Sequence, residues 1–474
     1  MASPPRWRRR LRAVHCLGRP GDPPPVLRGR EEVVGESRPA ARGVGEQGET
    51  GLAVQFEDVA AASFRLREGI QVTDCARSSR CSQLTGVEVF FKEDLKQLTG
   101  SFKERGARNA LLLLDEGQRA TGVIAASAGN HALALAYHAS QLGVPVTCVM
   151  PNVAPLTKVS RCREYGAEVV MHGAHIGEAR ERALEIGAEQ QLQYINGYDD
   201  PAIIAGAGTM GIEILDQMSA LGEELDAVVV PVGGGGLIAG VATVIKELRP
   251  SVEVIGVEPE ECPSLTAALA AGKPVQVPFT GTLADGLAVP TLGQNAFEIC
   301  REKVDRVVTV SEASVALAVL RLLEQHNTLV EGGGAAGFAA LIQDGVLPDL
   351  AGKTVCVPLC GGNIDITTVA RVIDRGLAAD GRLVRFVATI SDRAGGIADL
   401  AKVVSSVGAS FKEVHHERAF VQKDLFAVQV HCLVELAGRE HGEELQAALR
   451  EAGYPVAWND DRGLEAVETA QPRA

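Results

Sequence analysis

Short apolar runs alternate with amphipathic segments from about residue 55 to residue 376, and glycine-rich loops separate them. Apolar runs of about four to eight residues bounded by glycine or proline indicate buried strands, whereas apolar positions three and four apart indicate helices. The runs that we expect to form strands are 87–92, 121–126, 146–150, 167–171, 227–232, 252–258 and 354–359. This regular alternation predicts an α/β fold with open parallel sheets and crossover helices.

The pattern is different after residue 376, where apolar and polar positions alternate in the manner of half-buried strands. Two segments with helical spacing lie between these strand-like segments, so that the order is strand, helix, strand, strand, helix and strand. The expected strands are 384–390, 411–417, 425–436 and 454–457, and the expected helices are 397–407 and 440–452. This order is that of a ferredoxin-like α+β unit, and we predict a separate domain over residues 383–470.

Composition separates residues 1–54 from the rest of the chain. Residues 1–30 carry eight arginines and a single acidic residue, Asp22, together with several prolines that prevent a long helix. We expect a disordered extension that is rich in arginine and proline. A mitochondrial transit peptide is the alternative, because such peptides are also rich in arginine and poor in acidic residues.

The whole chain has 474 residues, of which 46% are hydrophobic, so a large buried core is available. The net charge of −14 and the aromatic content of 4% argue against nucleic acid as a partner, because phosphate binding needs a basic surface and base stacking needs aromatic rings. No apolar run reaches the ~18 residues that span a bilayer, so no membrane contact is expected. The ten cysteines form no Cys-x-x-Cys pair, which favours a reducing compartment, the cytoplasm, over disulfides or a zinc site.

The most informative segment is 99–106, Thr-Gly-Ser-Phe-Lys-Glu-Arg-Gly, in which Lys103 lies where a turn opens into a helix. Lysine is the side chain that forms a Schiff base with an aldehyde cofactor, and its amine then serves as a base at the same carbon. Gly100 and Ser101 allow a close approach of the backbone at this turn. Lys103 is therefore the candidate catalytic residue.

Two further loops also join a strand to a helix. The tetraglycine 233–236 can form a nest of amides for a single phosphate, and it lacks the spacing of a dinucleotide site. The segment 127–131, Ser-Ala-Gly-Asn-His, can hold a carboxylate through its amides and its hydroxyl, and Asn130 offers both a donor and an acceptor. Such loops at the carboxyl ends of parallel strands are where α/β folds bind ligands.

Together with motifs further along, these loops resemble the serine/threonine dehydratase group of fold type II pyridoxal-phosphate enzymes, which includes serine racemase. The matching segments are 100–106, 127–131, 155–158, 165–168, 198–200, 204–206, 233–237, 284–286, 331–334 and 360–365. The resemblance implies a tryptophan-synthase-β-like catalytic region over 55–376. Its large domain would take about 55–120 and 200–376, and its small domain about 121–199. The C-terminal unit resembles the ACT-type regulatory domain of one group of threonine ammonia-lyases.

The resemblance also implies roles for individual residues, with pyridoxal 5'-phosphate as the cofactor. Lys103 would bind the cofactor covalently and take the α-proton of the substrate, and Phe102 would pack beside the cofactor ring. Asn130 would bond the ring 3-oxygen. The residues that would cradle the phosphate are Gly233, Gly234, Gly235, Gly236 and Leu237. The substrate loop would consist of Ser127, Ala128, Gly129, Asn130 and His131, and an effector would contact Asp392, Arg393, Gly395, Gly396 and Ile397.

Three positions refine the expected chemistry. Cys360 would face the pyridine nitrogen, and a thiol is too weak an acid to keep that nitrogen protonated, which favours loss of a β-hydroxyl over transamination. Ala128 stands where racemases of the family have a hydroxyl that reprotonates the substrate, so dehydration is the better interpretation. Glu258 matches one ligand of a metal site found in some relatives, but Ser264 replaces the second carboxylate. We therefore expect no metal there and predict that Glu258 caps the local turn.

These features predict an L-threonine ammonia-lyase that gives 2-oxobutanoate and ammonia and that also converts L-serine to pyruvate. A homodimer or homotetramer and a small-molecule effector at the C-terminal domain are expected. One alternative is a serine racemase or a β-replacement enzyme of the same fold. Another is a non-catalytic amino-acid sensor, because Leu133, Ala134 and the pair Asn196-Gly197 depart from the family pattern.

Overall fold

A computed structural model describes residues 51–279, 281–418, 426–460 and 463–464, in which three β-sheets are formed. The predicted extension lies outside these residues, apart from 51–54. The strands are β1 (Cys75–Arg77), β2 (Glu88–Lys92), β3 (Val123–Ala126), β4 (Val146–Met150), β5 (Glu168–Met171), β6 (Gln193–Tyr194), β7 (Ala227–Pro231), β8 (Glu253–Pro259), β9 (Arg306–Val310), β10 (Thr354–Pro358), β11 (Leu383–Ser391), β12 (Ser410–Glu417), β13 (Ala427–Glu435), β14 (Val456–Asp460) and β15 (Gly463–Leu464).

The α-helices of the described residues cover both faces of the parallel sheets and one face of the antiparallel sheet. They are α1 (Phe56–Arg65), α2 (Ser79–Thr85), α3 (Lys103–Leu112), α4 (Glu116–Thr121), α5 (Asn130–Leu142), α6 (Leu156–Glu164), α7 (Ile176–Gln190), α8 (Pro201–Leu221), α9 (Gly236–Leu248), α10 (Ser264–Ala271), α11 (Gln294–Lys303), α12 (Glu312–His326), α13 (Gly332–Ile342), α14 (Ile366–Ala379), α15 (Gly396–Ser406) and α16 (Arg439–Glu451). Within the described ranges, no helix has both the length and the apolar character that crossing a bilayer demands.

The first two sheets are built from parallel strands, as the sequence predicts. One sheet has the order β1-β2-β10-β7-β8-β9 and is parallel except for β1, which runs antiparallel to β2. The other has the order β5-β4-β3-β6 and is parallel throughout. Strand β7 is buried along its whole length, as expected for a strand with helices on both faces. All seven predicted strands are confirmed with small shifts at their ends.

Three strands of these two sheets were not predicted from the sequence. Strands β1 and β6 are three and two residues long, too short to show a hydrophobic period. Strand β9 lies at the edge of its sheet and is only partly buried, so its apolar pattern is weak.

The third sheet is antiparallel and has the order β12-β13-β11-β14-β15. Its first four strands and the helices α15 and α16 follow the predicted ferredoxin-like order, which is confirmed. Alternate residues of β11 and β13 are buried against the two helices, including Phe386 and Val430. The last predicted strand begins at Val456 rather than Tyr454. The start of the predicted run 425–436 and the end of the predicted domain 383–470 lie partly outside the described residues.

Helix α14 ends at Ala379, so that only residues 380–382 connect it to β11. Lys412 in β12 bonds Asp374 in α14 at 2.7 Å, and Arg382 bonds Glu324 in α12 at 2.6 Å. We propose that the three sheets correspond to three domains, with the small and large catalytic domains and the C-terminal domain divided as predicted.

Candidate active site

The turn before α3 is held against the loop that follows β10. The Phe102 amide donates to the Cys360 carbonyl at 2.9 Å, and the Gly362 amide donates to the Gly100 carbonyl at 2.9 Å. Gly100 has a φ of +82°, a conformation that favours glycine. These bonds join segments about 260 positions apart in sequence, and they bring Lys103 beside Cys360.

Lys103 is the first residue of α3, and its Nζ donates to the Gly197 carbonyl at 2.8 Å. Burial lowers the pKa of Lys103 to about 8, although the nearby Cys360 and Glu331 oppose this shift. A larger neutral fraction near neutral pH suits an amine that must act as a nucleophile and a base. Asn196 Oδ1 accepts the amides of the two residues after Gly197 at 3.1 and 3.2 Å and so shapes the turn.

A buried ion-pair network supports the start of α3. Arg105 bonds both carboxylate oxygens of Asp94 at 2.6 and 2.8 Å and both of Glu213 at 2.6 and 2.9 Å. Lys92 bonds Glu213 at 2.6 Å, and none of these charges lacks a partner. A buried charge is tolerated when it is paired and hydrogen-bonded, so the network fixes the backbone two residues beyond Lys103. The sequence analysis missed this role, and only the burial of Arg105 reveals it.

The predicted substrate loop lies at the N-terminus of α5. Ser127 Oγ accepts the Gly129 amide at 3.2 Å, and the amides of residues 130–132 have no acceptor among the described residues. His131 is buried, and neither of its ring nitrogens has a hydrogen-bond partner in the described part of the chain. Burial and the charge of Lys103 lower the pKa of His131 to about 3, so this imidazole is neutral. Ala128 is half-buried and presents a methyl group without a proton to give.

Glu331, the first residue of the matching segment 331–334, lies inside the site beside Asn130. Its Oε1 accepts the Asn130 side-chain amide at 2.6 Å, and an added Cβ at Gly361 would overlap its carboxylate. Burial and repulsion from Asp285 raise the pKa of Glu331 to about 7, against the opposing effects of Lys158 and Asn130. A sequence motif cannot indicate this partner because 201 positions separate the two residues.

The tetraglycine joins β7 to α9, as expected. Side chains at Gly234 or Gly236 would overlap Tyr198, and Gly235 has a φ of +89°. Among the described residues, the amides of 233–237 bond no backbone or side-chain acceptor. A helix N-terminus with free amides and no Cβ atoms is a site for a phosphate. The start of α9 is fixed because α8 and α9 pack closely, with an added Cβ at Gly208 only 2.8 Å from the Gly240 carbonyl oxygen.

Cys360 is buried, and its Sγ lies 3.9 Å from the Gly333 carbonyl oxygen. Burial and the neighbouring Glu331 raise the pKa of the Cys360 thiol well above its ordinary value. This thiol is therefore uncharged at physiological pH.

Glu258 caps the N-terminus of α10, as predicted. Its two carboxylate oxygens accept the Leu265 and Thr266 amides at 2.6 and 2.9 Å, and Thr266 Oγ1 donates at 2.7 Å. The carboxylate is thus occupied by backbone and hydroxyl donors.

The predicted effector loop lies between β11 and α15. Arg418 donates two hydrogen bonds to the Asp392 carboxylate, from Nε and from Nη2, each at 3.0 Å. Gly395 has a φ of +105°. Within this loop the Gly396 amide donates to the Arg393 carbonyl at 3.2 Å. Every residue of the loop 392–397 is exposed except Gly396, which is half-buried.

The site residues fit pyridoxal phosphate. Buried polar atoms in proteins almost always have a partner, yet Thr99 Oγ1, Ser101 Oγ and both His131 nitrogens have none among the described residues. These orphaned atoms lie on the two loops beside Lys103, and the free amides of the tetraglycine add to them. An amine with a lowered pKa, a glycine loop whose free amides can bind a phosphate, and several unpaired polar atoms match the groups that this cofactor offers.

Comparison with known proteins agrees with the site. Residues 66–361 match the family described as pyridoxal-phosphate dependent enzyme, and the chain belongs to this family. Pyridoxal phosphate is therefore its cofactor, and the resemblance found in the sequence is confirmed. An L-threonine ammonia-lyase of Thermotoga maritima is 40% identical over 403 residues, which cover 85% of this chain and 99% of that protein. An alignment of that length must extend beyond residues 66–361, a span of 296 residues.

Two solved structures have the same catalytic fold. The processed form of threonine deaminase isoform 2 from Solanum lycopersicum has a TM-score of 0.63 and 33% identity over 67% of this chain and 91% of that one. Maize serine racemase has a TM-score of 0.64 and 31% identity over 69% of this chain and 98% of that one. The predicted fold type II architecture is confirmed.

Proposed function

We propose that this protein is an L-threonine ammonia-lyase that converts L-threonine to 2-oxobutanoate and ammonia and L-serine to pyruvate and ammonia. The observation that carries the proposal is that the site pairs an amine of lowered pKa, Lys103, with an uncharged thiol, Cys360, while Ala128 offers no second acid. The name of the Thermotoga maritima relative supports the same activity.

Lys103 would hold the cofactor, the tetraglycine with Leu237 would hold its phosphate, and Phe102 and Asn130 would contact its ring. When bound, the cofactor withdraws electrons from the α-carbon of the amino acid. The substrate carboxylate would lie at the free amides of α5 with Ser127, which orients the α-hydrogen toward the amine. As a neutral base Lys103 takes that hydrogen as a proton.

Loss of the α-proton and the β-hydroxyl removes one water from the substrate. Addition of water then releases ammonia and leaves the 2-oxo acid, so the net reaction consumes no water. Cys360 favours this course because an uncharged thiol cannot keep a facing pyridine nitrogen protonated. His131, neutral and without partners, offers one donor to the substrate carboxylate.

The purified enzyme should be assayed with L-threonine and L-serine for release of 2-oxobutanoate and pyruvate, with D-serine followed in parallel. We expect 2-oxo acid release from both substrates and slower D-serine formation. D-serine formed as fast as pyruvate would favour a racemase, the activity of the similar maize structure. Bound cofactor without turnover of either substrate would favour an amino-acid sensor.

We predict that Ala128→Ser raises the ratio of racemisation to elimination for L-serine, by about threefold or more, because a hydroxyl can supply a proton that alanine cannot. The ratio of D-serine to pyruvate is the measurement, and Ala128→Val is the control because it adds volume without a proton. An equal rise in both variants would contradict the argument from proton supply.

We further propose that the C-terminal domain binds a small amino-acid effector at the Asp392–Ile397 loop. A branched-chain amino acid should shift the substrate dependence of the full chain, and a chain that ends after Asp380 should stay active without that response. Steady-state kinetics with and without L-isoleucine or L-valine test this. A full chain that none of these amino acids affects would contradict the proposal, and a truncated chain that only changes its oligomeric state would indicate a purely structural domain.

We also propose a homodimer or homotetramer, because the edge strand β12 of the C-terminal sheet is exposed and available for pairing. The cytoplasm is the proposed compartment, since the nine cysteines of the described residues are all free thiols.

A further inference from the structure

Four side chains of the site form a hydrogen-bonded series, which we name the amide relay. Arg161 Nη1 donates to Asn363 Oδ1 at 3.3 Å, and Asn363 Nδ2 donates to Asn130 Oδ1 at 3.0 Å. Asn130 Nδ2 then donates to Glu331 Oε1 at 2.6 Å. Asn363 Nδ2 also donates to the Thr99 carbonyl at 2.6 Å, which ties the relay to the turn before Lys103.

Arg161 and the Thr99 carbonyl determine the direction of the relay. A guanidinium can only donate and a carbonyl can only accept, so Asn363 turns its oxygen toward Arg161 and its nitrogen toward Thr99 and Asn130. Asn130 then accepts through its oxygen and turns its nitrogen toward Glu331. One N–H of Asn130 is used by Glu331, and the other has no acceptor among the described residues. This second N–H is the donor that the proposed role of Asn130 requires.

The relay has little room to rearrange. An added Cβ at Gly100 would lie 2.6 Å from Asn363 Oδ1, and one at Gly361 would overlap the Glu331 carboxylate and lie 3.2 Å from Asn130 Nδ2. Arg161 lies on α6, beside the four-stranded sheet, whereas Asn363 follows β10 of the six-stranded sheet. The relay therefore joins the part of the catalytic region that holds the four-stranded sheet to the part that holds the six-stranded sheet.

We propose that Arg161 is a positioning residue for the cofactor, which it serves through Asn363 by fixing the orientation of the Asn130 amide. The inference rests on the proposed role of Asn130 as the ligand of the cofactor ring oxygen. Arg161 belongs to none of the segments that match the family. Its Nη2 also donates a hydrogen bond to Tyr165 Oη at 3.5 Å. Without the guanidinium, only the Thr99 carbonyl orients the Asn363 amide and only Glu331 and Asn363 orient the Asn130 amide. Both amides then turn more easily, and the carbonyl of Asn130 faces the ring oxygen more often.

The test compares Arg161→Met with Arg163→Met, since Arg163 is exposed on the same helix. Titration of the cofactor-free protein with pyridoxal phosphate gives the dissociation constant and the position of the visible absorption band without any turnover. We expect Arg161→Met to weaken cofactor binding about fivefold, the value of one hydrogen bond, and to move the band. Arg163→Met should match the wild type, and Arg161→Lys should recover part of the loss because the ammonium can donate one bond.

A double variant sharpens the test. Asn363→Ala removes the middle of the relay, so adding Arg161→Met to it should cause no further loss of cofactor affinity. Losses that multiply in the double variant would overturn the relay. So would an Arg161→Met protein whose thermal stability falls while its dissociation constant and band stay unchanged.

Asn130→Ala separates the relay from the proposed function on which it rests. If this variant loses cofactor affinity but Arg161→Met does not, the relay alone is overturned. If both variants bind the cofactor as the wild type does, the proposed role of Asn130 fails together with the relay.

Discussion

Lys103→Ala is expected to abolish the visible band of the bound cofactor and to lower 2-oxo acid release by at least about 10³-fold, because covalent attachment and proton transfer are lost together. The position of Lys103 Nζ, 2.8 Å from the Gly197 carbonyl and beside the Cys360 loop, carries this expectation. Absorption spectra and coupled assays of product provide the measurement. A variant that keeps the band would show that another amine holds the cofactor.

Lys103→Arg is the matched control, since it keeps a positive charge without a neutral amine.

The stability of the cofactor-free protein as a function of pH tests the lowered pKa of Lys103 independently of activity. The pKa of Lys103 is about 8 in the folded protein and near 10.5 when unfolded, so the unfolded chain binds more protons between these values. The wild type should therefore gain stability as pH rises from about 8 to about 10.5 relative to Lys103→Ala. Parallel stability curves would contradict the lowered pKa.

Cys360→Asp is expected to lower elimination by about tenfold to a hundredfold, whereas Cys360→Ser should stay within about threefold of the wild type. A carboxylate that faces the pyridine nitrogen would keep it protonated, but a hydroxyl, like the uncharged thiol, would not. The rates of 2-oxobutanoate release and the rates of half-transamination are the quantities to compare. Half-transamination should increase in the aspartate variant.

Cys360→Asn separates charge from size, because asparagine has the shape of aspartate and cannot ionise. It should resemble the serine variant more closely than the aspartate variant. Equal losses with asparagine and aspartate would mean that the pocket around Cys360 and Gly333 rejects the larger side chain and that charge plays no part. An aspartate variant with the wild-type rate would show that position 360 does not face the ring nitrogen.

The local features of the chain, its strands and its glycine-containing loops, could be predicted from the sequence alone. Strands such as 146–150 are buried along their whole length and show as short apolar runs, and the ferredoxin-like order after residue 376 shows as a change in period. The loops around Lys103 and Gly233 were recognisable because close backbone approach and positive φ angles demand glycine at Gly100 and Gly235. These constraints act within a few residues, and each therefore leaves a pattern in a short stretch of sequence.

The sequence by itself thus determined the fold class, the family and the loops that carry the site. Only the tertiary structure decided that Gly197 supplies the acceptor for Lys103, that Glu331 and Asn363 hold Asn130, and that Arg105 joins Asp94 to Glu213. Apart from the bond between Arg105 and Asp94, which lie 11 positions apart, these bonds unite segments that are distant in the chain, and none imposes a period or a backbone conformation on its neighbours. The packing of crossover helices against two sheets selects such partners, so they exist only in the folded chain.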